Sequence, residues 1–383
     1  MSTNRNDISK FRKEQKKKKN LRNLIVILIV ILVVFMIYLF KDTIFQPLEG
    51  IATRIGYSDS ESGFPIKAPG SAEYTLYPMD EYFALLTDSY VITYGKDGRK
   101  IGEFQHGFLN PVMSVKGDRI LVFDKGNTGF KVYSKTKLVY ESSSEENIVY
   151  ARLGNNRNTV LVTNASYYMN YVIIYDENGN KVYTYKASEN VVSVEFSRDD
   201  DKIYISQLGS DNGDFLSSFS CYDLSSEGDA LWSSQVKDII TYDVIRANSG
   251  IVMVNSNSIQ LYSELEGKLI STYNFSGELV DYSEKDGKIV LLLFDNITNT
   301  NISVLLDKEM NVVSSKTVNE KAGKIVFGDK NIALLCNDSL IYFDENLDNE
   351  KTLKLDDEYS EMIYISQSFI VQGVDSINRY QLS

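Results

Sequence analysis

The feature that most constrains this chain is a unit of about 41 residues that recurs through most of its length. Each unit centres on a strand-like run ending in a large, mostly aromatic residue, followed by a turn and a second run, as in VITYGKDGRKIGEF, VIIYDENGNKVYTY and IQLYSELEGKLISTY. The ending residues are Tyr94, Tyr133, Tyr175, Tyr222, Tyr262, Leu306, Phe343 and Tyr380, spaced 37 to 47 residues apart. Gly, Asn and Asp fill the turns, and these residues accept the positive φ angles of tight hairpins. Around each hairpin lie further runs alternating apolar and polar residues, the pattern of half-buried antiparallel strands. The third unit reads as strands A to D: NIVYARL, NTVLVTN, YVIIYDE and KVYTYKA.

Four strands per unit at this period predict an all-β fold, a β-propeller. A β-solenoid needs a shorter repeat. Stacked β-sandwiches need linkers between them, yet residues 72–383 contain only Pro78 and Pro111 and no Gly/Ser-rich break. Eight units fit the folded region, and a seven-bladed ring, the alternative, leaves one unit over. The last unit holds only SEMIYIS, SFIVQGV and INRYQLS before the chain ends. A three-stranded blade leaves an open edge, so Phe64–Gly70 (FPIKAPG) is expected to supply the fourth strand.

The ends of the chain differ sharply in charge. Residues 1–23 carry nine Lys and Arg against Asp7 and Glu14, while the whole chain is −12. Between the basic tail and the acidic remainder lies Leu24–Phe40, 17 residues without charge, Gly or Pro. A helix of that length spans roughly 26 Å, nearly a hydrocarbon core, and flanking Arg22 and Lys41 can snorkel. No small-residue cleavage site follows, and no Cys lies near for a lipid anchor. The expectation is a single-pass cell-membrane protein: a basic cytoplasmic tail (1–23), a transmembrane helix (24–40), a juxtamembrane stalk (41–62) and an extracytoplasmic propeller (63–383). In the stalk, Ile44, Phe45, Leu48, Ile51, Ala52 and Ile55 recur at helical spacing, predicting an amphipathic helix.

Little in the chain points to catalysis. Nucleophile-elbow, P-loop, zinc-protease and Cys-x-x-Cys signatures are absent. The single His106 excludes a multi-histidine metal site, and no metal or cofactor is expected. Cys221 and Cys336 fall in apolar runs and read as small buried hydrophobes. Asp199, Asp200 and Asp201 lack the alternating ligands of a calcium loop and read as solvated turn carboxylates. Trp232 reads as the end of a D strand, packed at the rim of blade 4.

The candidate ligand site is built on two loops. His106 and Asn110 lie between blade 1 and blade 2, while Asp124, Lys125, Gly126 and Asn127 form the B–C loop of blade 2. Propeller loops of these kinds emerge on one face, so the residues can meet near the central opening. The competing reading is that His106, Asn110 and Asp124 satisfy loop backbone.

GFPI (Gly63–Ile66), ALLTDSYVITY (Ala84–Tyr94), QHGFLNPV (Gln105–Val112) and DRILVFDKGNTGFKVYS (Asp118–Ser134) resemble a family of membrane-anchored propellers of Gram-positive bacteria, a domain of unknown function in the quinoprotein and WD40-like superfamily. VVSVEFSRDDDKIYIS is similar to the "FSPDGK" turn of WD40-like repeats, with Arg198–Asp201 as the A–B turn. CYDLSSEGDALW is similar to a quinoprotein-type hairpin. The resemblance implies a propeller behind one anchor and no activity. A quinoprotein dehydrogenase carries regular Trp at its blade ends, and this chain has one Trp. The expected function is a binding scaffold that touches membrane lipid through its anchor and a protein or envelope partner through a propeller face, without nucleic acid. The alternatives are a ligand sensor or enzyme using the central opening, with His106 as its titrating group, and a purely structural envelope protein.

Overall fold

The computed structural model describes residues 63–68, 73–226 and 228–382. Among these residues no helix is long and apolar enough to cross a membrane. The expected basic tail, transmembrane helix and stalk lie outside them.

Thirty-two strands form eight four-stranded antiparallel sheets, so the fold is an eight-bladed β-propeller. Seven sheets run A to D in chain order. The eighth takes Tyr359–Ile365, Ser368–Gly373 and Ser376–Tyr380 from the C-terminal end and Ile66–Lys67 from the other. The A strand of blade 1 (Tyr74–Met79) packs against that of blade 8, which packs against that of blade 7 (Ala322–Phe327), closing the inner ring.

The alternating pattern expected of every strand holds at the rim. The D strand Trp232–Lys237 of blade 4 alternates half-buried and exposed positions. The B strands differ: Gly250–Asn255 and Ser368–Gly373 are buried at every position. Neighbouring blades cover both of their faces, and a strand so enclosed reads as an unbroken apolar run. Cys221 and Cys336 are free and buried in such runs.

The sequence period has a packing cause. Each strand-ending residue sits on a C strand, and several pack on an aromatic of the preceding blade. Tyr133 lies 5.1 Å from Phe104, Tyr175 5.0 Å from Phe130, Tyr222 4.4 Å from Tyr185 and Tyr262 5.6 Å from Phe219, centroid to centroid. Such pairs add about 0.5–1.5 kcal/mol each beyond area burial. Trp232 opens its D strand instead of ending it, and its indole donates to the Glu264 carbonyl oxygen (3.2 Å). It packs edge-on against Phe219 (5.2 Å) and stacks on Tyr204 (6.0 Å).

The closing strand is shorter than expected. Only Ile66 and Lys67 pair, with Ile377 and Ser376, and the Ala68 amide adds a bond to the Asp375 carbonyl oxygen (2.8 Å). Ahead of this strand Phe64 is held by side-chain packing: it stacks on Phe83 (6.2 Å) and lies under the Arg379 guanidinium (5.2 Å). Ile66 and Ala68 join Leu76, Phe83, Ile370 and Ile377 in one apolar cluster spanning blades 1 and 8. Tyr74 Oη donates to the Gly373 carbonyl oxygen (2.6 Å), and the Gln372 amide donates back to the Tyr74 carbonyl oxygen.

Asp200 corrects the reading of the acidic turn as solvated. It is buried, accepting the backbone amides of Asn155 (2.9 Å) and Asn156 (2.8 Å) from the A–B turn of blade 3. Gly154 leaves room for it, since a Cβ there would lie 2.2 Å from Asp200 Oδ2. Asp200→Ala strands two amide donors and is expected to cost about 1–3 kcal/mol in urea unfolding. Asp199→Ala, at an exposed position, is expected to change stability by less than about 0.5 kcal/mol.

Candidate functional site

The D–A connections and B–C turns open on one face of the ring, and the A–B and C–D turns on the other. On the first face the structure brings the predicted loops of blades 1 and 2 together. Asp124 Oδ1 accepts the Asn110 amide (2.8 Å), its Oδ2 accepts the Asn127 side-chain amide (3.0 Å), and the Lys125 amide donates to the Asn110 carbonyl oxygen (2.9 Å). Gly126 and Asn127 carry the network to blade 3, the Gly126 amide donating to the Ile148 carbonyl oxygen (2.8 Å) and the Ile148 amide to the Asn127 carbonyl oxygen (2.7 Å).

His106 is 1% exposed. Its Nδ1 accepts the Phe108 amide (3.0 Å), which leaves Nε2 to donate to the Thr87 carbonyl oxygen (3.2 Å) and fixes a neutral ring. Burial, chiefly, holds its pKa below the ordinary histidine value. His106, Asp124 and Asn127 therefore spend their polar atoms on loop structure.

Beside this network lies an open depression of about 670 Å³ where the A strands of blades 1–3 begin. Tyr74, Leu86, Leu109, Val112, Ile148 and Val149 give it an apolar lining, with Glu73, Asp88 and Lys125 as charged neighbours. Of the five predicted site residues, Asn110 and Lys125 line it. Leu109 projects from the D–A loop, 85% exposed. Further loop tips on this face carry Tyr167 (92% exposed), Ile297 (95%) and Val374 (74%). The sequence signal for them, single apolar residues in short turns, is weak for any one loop.

A second constellation, around the central axis, has no counterpart in the sequence reading. In blades 3 to 8 the A strand slips register against its B strand near its start, between Ile148 and Tyr150, Val191 and Ser193, Thr241 and Asp243, and at equivalent points beyond. A bulge re-aims the side chains that follow. Arg152 reaches from blade 3 across blade 4 to blade 5: Nη1 donates to Glu195 Oε2 (2.8 Å) and to the Val194 and Val244 carbonyl oxygens (3.1 and 3.0 Å), and Nη2 to Asp243 Oδ1 (3.0 Å). Asp243 also accepts Ser193 Oγ (2.6 Å) and, from blade 6, Tyr282 Oη (2.8 Å).

These polar side chains serve the free inner edges of the A strands, whose amides and carbonyls have no strand beyond them. Asp281 takes the Ile325 amide (2.9 Å) and Ser283 the Phe327 amide (3.1 Å) in the same way. Burial raises the pKa of Glu195 against the pull of Arg152, and burial with the nearby Asp243 carboxylate raises that of Tyr282. With its acceptors and donors paired, the cluster works as a polar clamp across blades 3 to 6.

Ring closure and blade order define the class: an eight-bladed β-propeller. The chain belongs to a family of unknown function, DUF5711, whose profile matches residues 58–382. No curated protein matches it in sequence. Among solved structures it is similar to BamB from Moraxella catarrhalis, with 10% identity, a TM-score of 0.59 and coverage of 84% of this chain and 98% of that one. Sqt1 from Saccharomyces cerevisiae is similar at 12% identity and a TM-score of 0.62, covering 85% of this chain and 100% of that one. Hsv2 from Kluyveromyces lactis is similar at 8% identity and a TM-score of 0.53, covering 74% of this chain and 100% of that one. At these identities the likeness establishes the fold.

Proposed function

We propose that this protein is a membrane-tethered, extracytoplasmic scaffold that binds a protein partner through the D–A/B–C face of its propeller and has no catalytic role. The observation that carries the reading is the apolar depression at blades 1–3 with the exposed Leu109 on its edge. A concave apolar surface with a few charged neighbours marks a candidate binding site. A rigid ring with independently variable loops suits recognition. The tether rests on the basic tail and the uncharged run Leu24–Phe40. The sensor reading, with His106 as its titrating group, draws no support from a ring that is buried and bonded at both nitrogens.

A photoreactive residue placed at Leu109 in the full chain, in intact cells, is expected to crosslink to a protein partner, whereas one at Leu265 on the opposite face is not. Leu265 is equally exposed, at 86%, which makes it the matched control. Equal crosslinking at both positions, or none at either, would sink the reading.

A further inference from the structure

The proposed binding face holds an apolar depression and its loops are strongly acidic. Exposed or half-buried Asp88, Glu145, Glu189, Asp238, Asp357 and Asp375 stand on its loops, against Lys125 and Lys321. On the opposite face Arg157, Lys202 and Lys285 are paired with Asp118, Asp201 and Asp329, and Lys96, Arg99, Lys135 and Lys137 add further positive charge among its acidic turns. Both faces are acidic; what sets apart the face with the depression is the scarcity of basic side chains among its loop carboxylates. Glu73 and Asp88 flank that depression beside Leu109, so its negative field and its apolar floor coincide.

We infer that the partner docks here through a cationic protein segment, its Lys or Arg side chains meeting the acidic loops and an apolar or aromatic side chain filling the depression between blades 1 and 3. This rests on the protein-binding reading above and adds the chemistry of the partner. Charge complementarity selects the occupant: an acidic face repels anionic lipid headgroups and nucleic acid phosphates, and attracts cations. The apolar floor then requires more than charge. Tyr74, Leu86 and Ile148 at its base are buried, while Leu109 and Val149 stay exposed at its edge until something covers them.

The test uses the full chain in a zwitterionic detergent and three fluorescent peptides of equal length: Lys residues around a Leu-Phe pair, Glu residues around the same pair, and Lys residues around a Ser-Ser pair. The first is expected to bind at least about tenfold more tightly than the Ser-Ser peptide, since one buried large apolar side chain alone is worth that factor, and more tightly than the Glu peptide, which the acidic loops repel. Its affinity should fall as salt is raised. The double variant Asp88→Lys/Leu109→Ser should abolish the preference, and the opposite-face variant Leu265→Ser/Glu266→Lys should leave it intact. Equal binding of the three peptides, preference for the Glu peptide, or a preference that survives the double variant would overturn the inference. If Leu109 crosslinks to a protein in cells while the peptides show no cationic preference, the partner's chemistry is wrong and the binding face stands. If Leu109 does not crosslink either, both fall.

Discussion

Arg152→Met is expected to lower the unfolding free energy by about 3–5 kcal/mol, the usual cost of removing one partner from a buried ionic network. The Arg152 side chain is 22% exposed and Glu195 9%, so solvent screens little of the charge left behind. Five hydrogen bonds from one guanidinium hold blades 3, 4 and 5, and Tyr282 extends the network to blade 6. The loss should appear as a lower urea midpoint with the slope unchanged. Adding Glu195→Gln and Asp243→Asn to Arg152→Met should regain most of it, because a buried ionic group costs most when its counter-charge alone is missing. An Arg152→Met protein within about 1 kcal/mol of the natural one would show that the clamp adds little to the ring.

Deleting Gly63–Ala68 is expected to cost about 3–5 kcal/mol, from the burial of Ile66 and the packing of Phe64 together with the ladder bonds of the closing strand. Ile66 is 8% exposed and sits in the apolar cluster joining the first and last blades. Its loss opens the edge of Ser376–Tyr380 and separates the two ends of the ring. Deleting an equal length of the tail before Leu21 should change stability by less than about 0.5 kcal/mol. Ile66→Asp should reproduce the effect of the deletion, and limited proteolysis should then cut near Tyr380 first. Equal stability of the two deletions would mean that the ring closes by other contacts.

How much of this was legible follows from where each feature is encoded. The blade count was, because Tyr133, Tyr175, Tyr222 and Tyr262 each reach back to the preceding blade, and that packing imposes one large residue per unit. The closing strand was legible from the missing fourth strand, but its length was not: Phe64 looks like a strand residue and is held by ring stacking and apolar contact instead. Asp200 was misread because a turn carboxylate is judged by its own turn, and its partners Asn155 and Asn156 belong to another blade.

The axial clamp was hidden for a similar reason. Arg152, Glu195 and Asp243 come from three units, and a register slip in each A strand decides which side chains turn inward. Arg152 in the apolar run IVYARL was a visible irregularity without a visible partner. The loop network of blade 2 was legible as a meeting of His106, Asn110, Asp124, Lys125 and Asn127. The adjoining depression depends on how three A strands converge, which no single segment records.

The proposal of an outward-facing, partner-covered propeller face is tested most directly by labelling intact cells with a membrane-impermeant maleimide. The natural thiols are silent: Cys221 and Cys336 are buried, and burial pushes their pKa values up to about 12 and about 11. Single cysteines at Ser9, Leu109 and Leu265 then report on the tail and the two faces. The account predicts no labelling at Ser9 until lysis, rapid labelling at Leu265, and slow labelling at Leu109 that becomes rapid in the purified chain. Labelling of Ser9 from outside, or equal rates at Leu109 and Leu265 in cells, would contradict it.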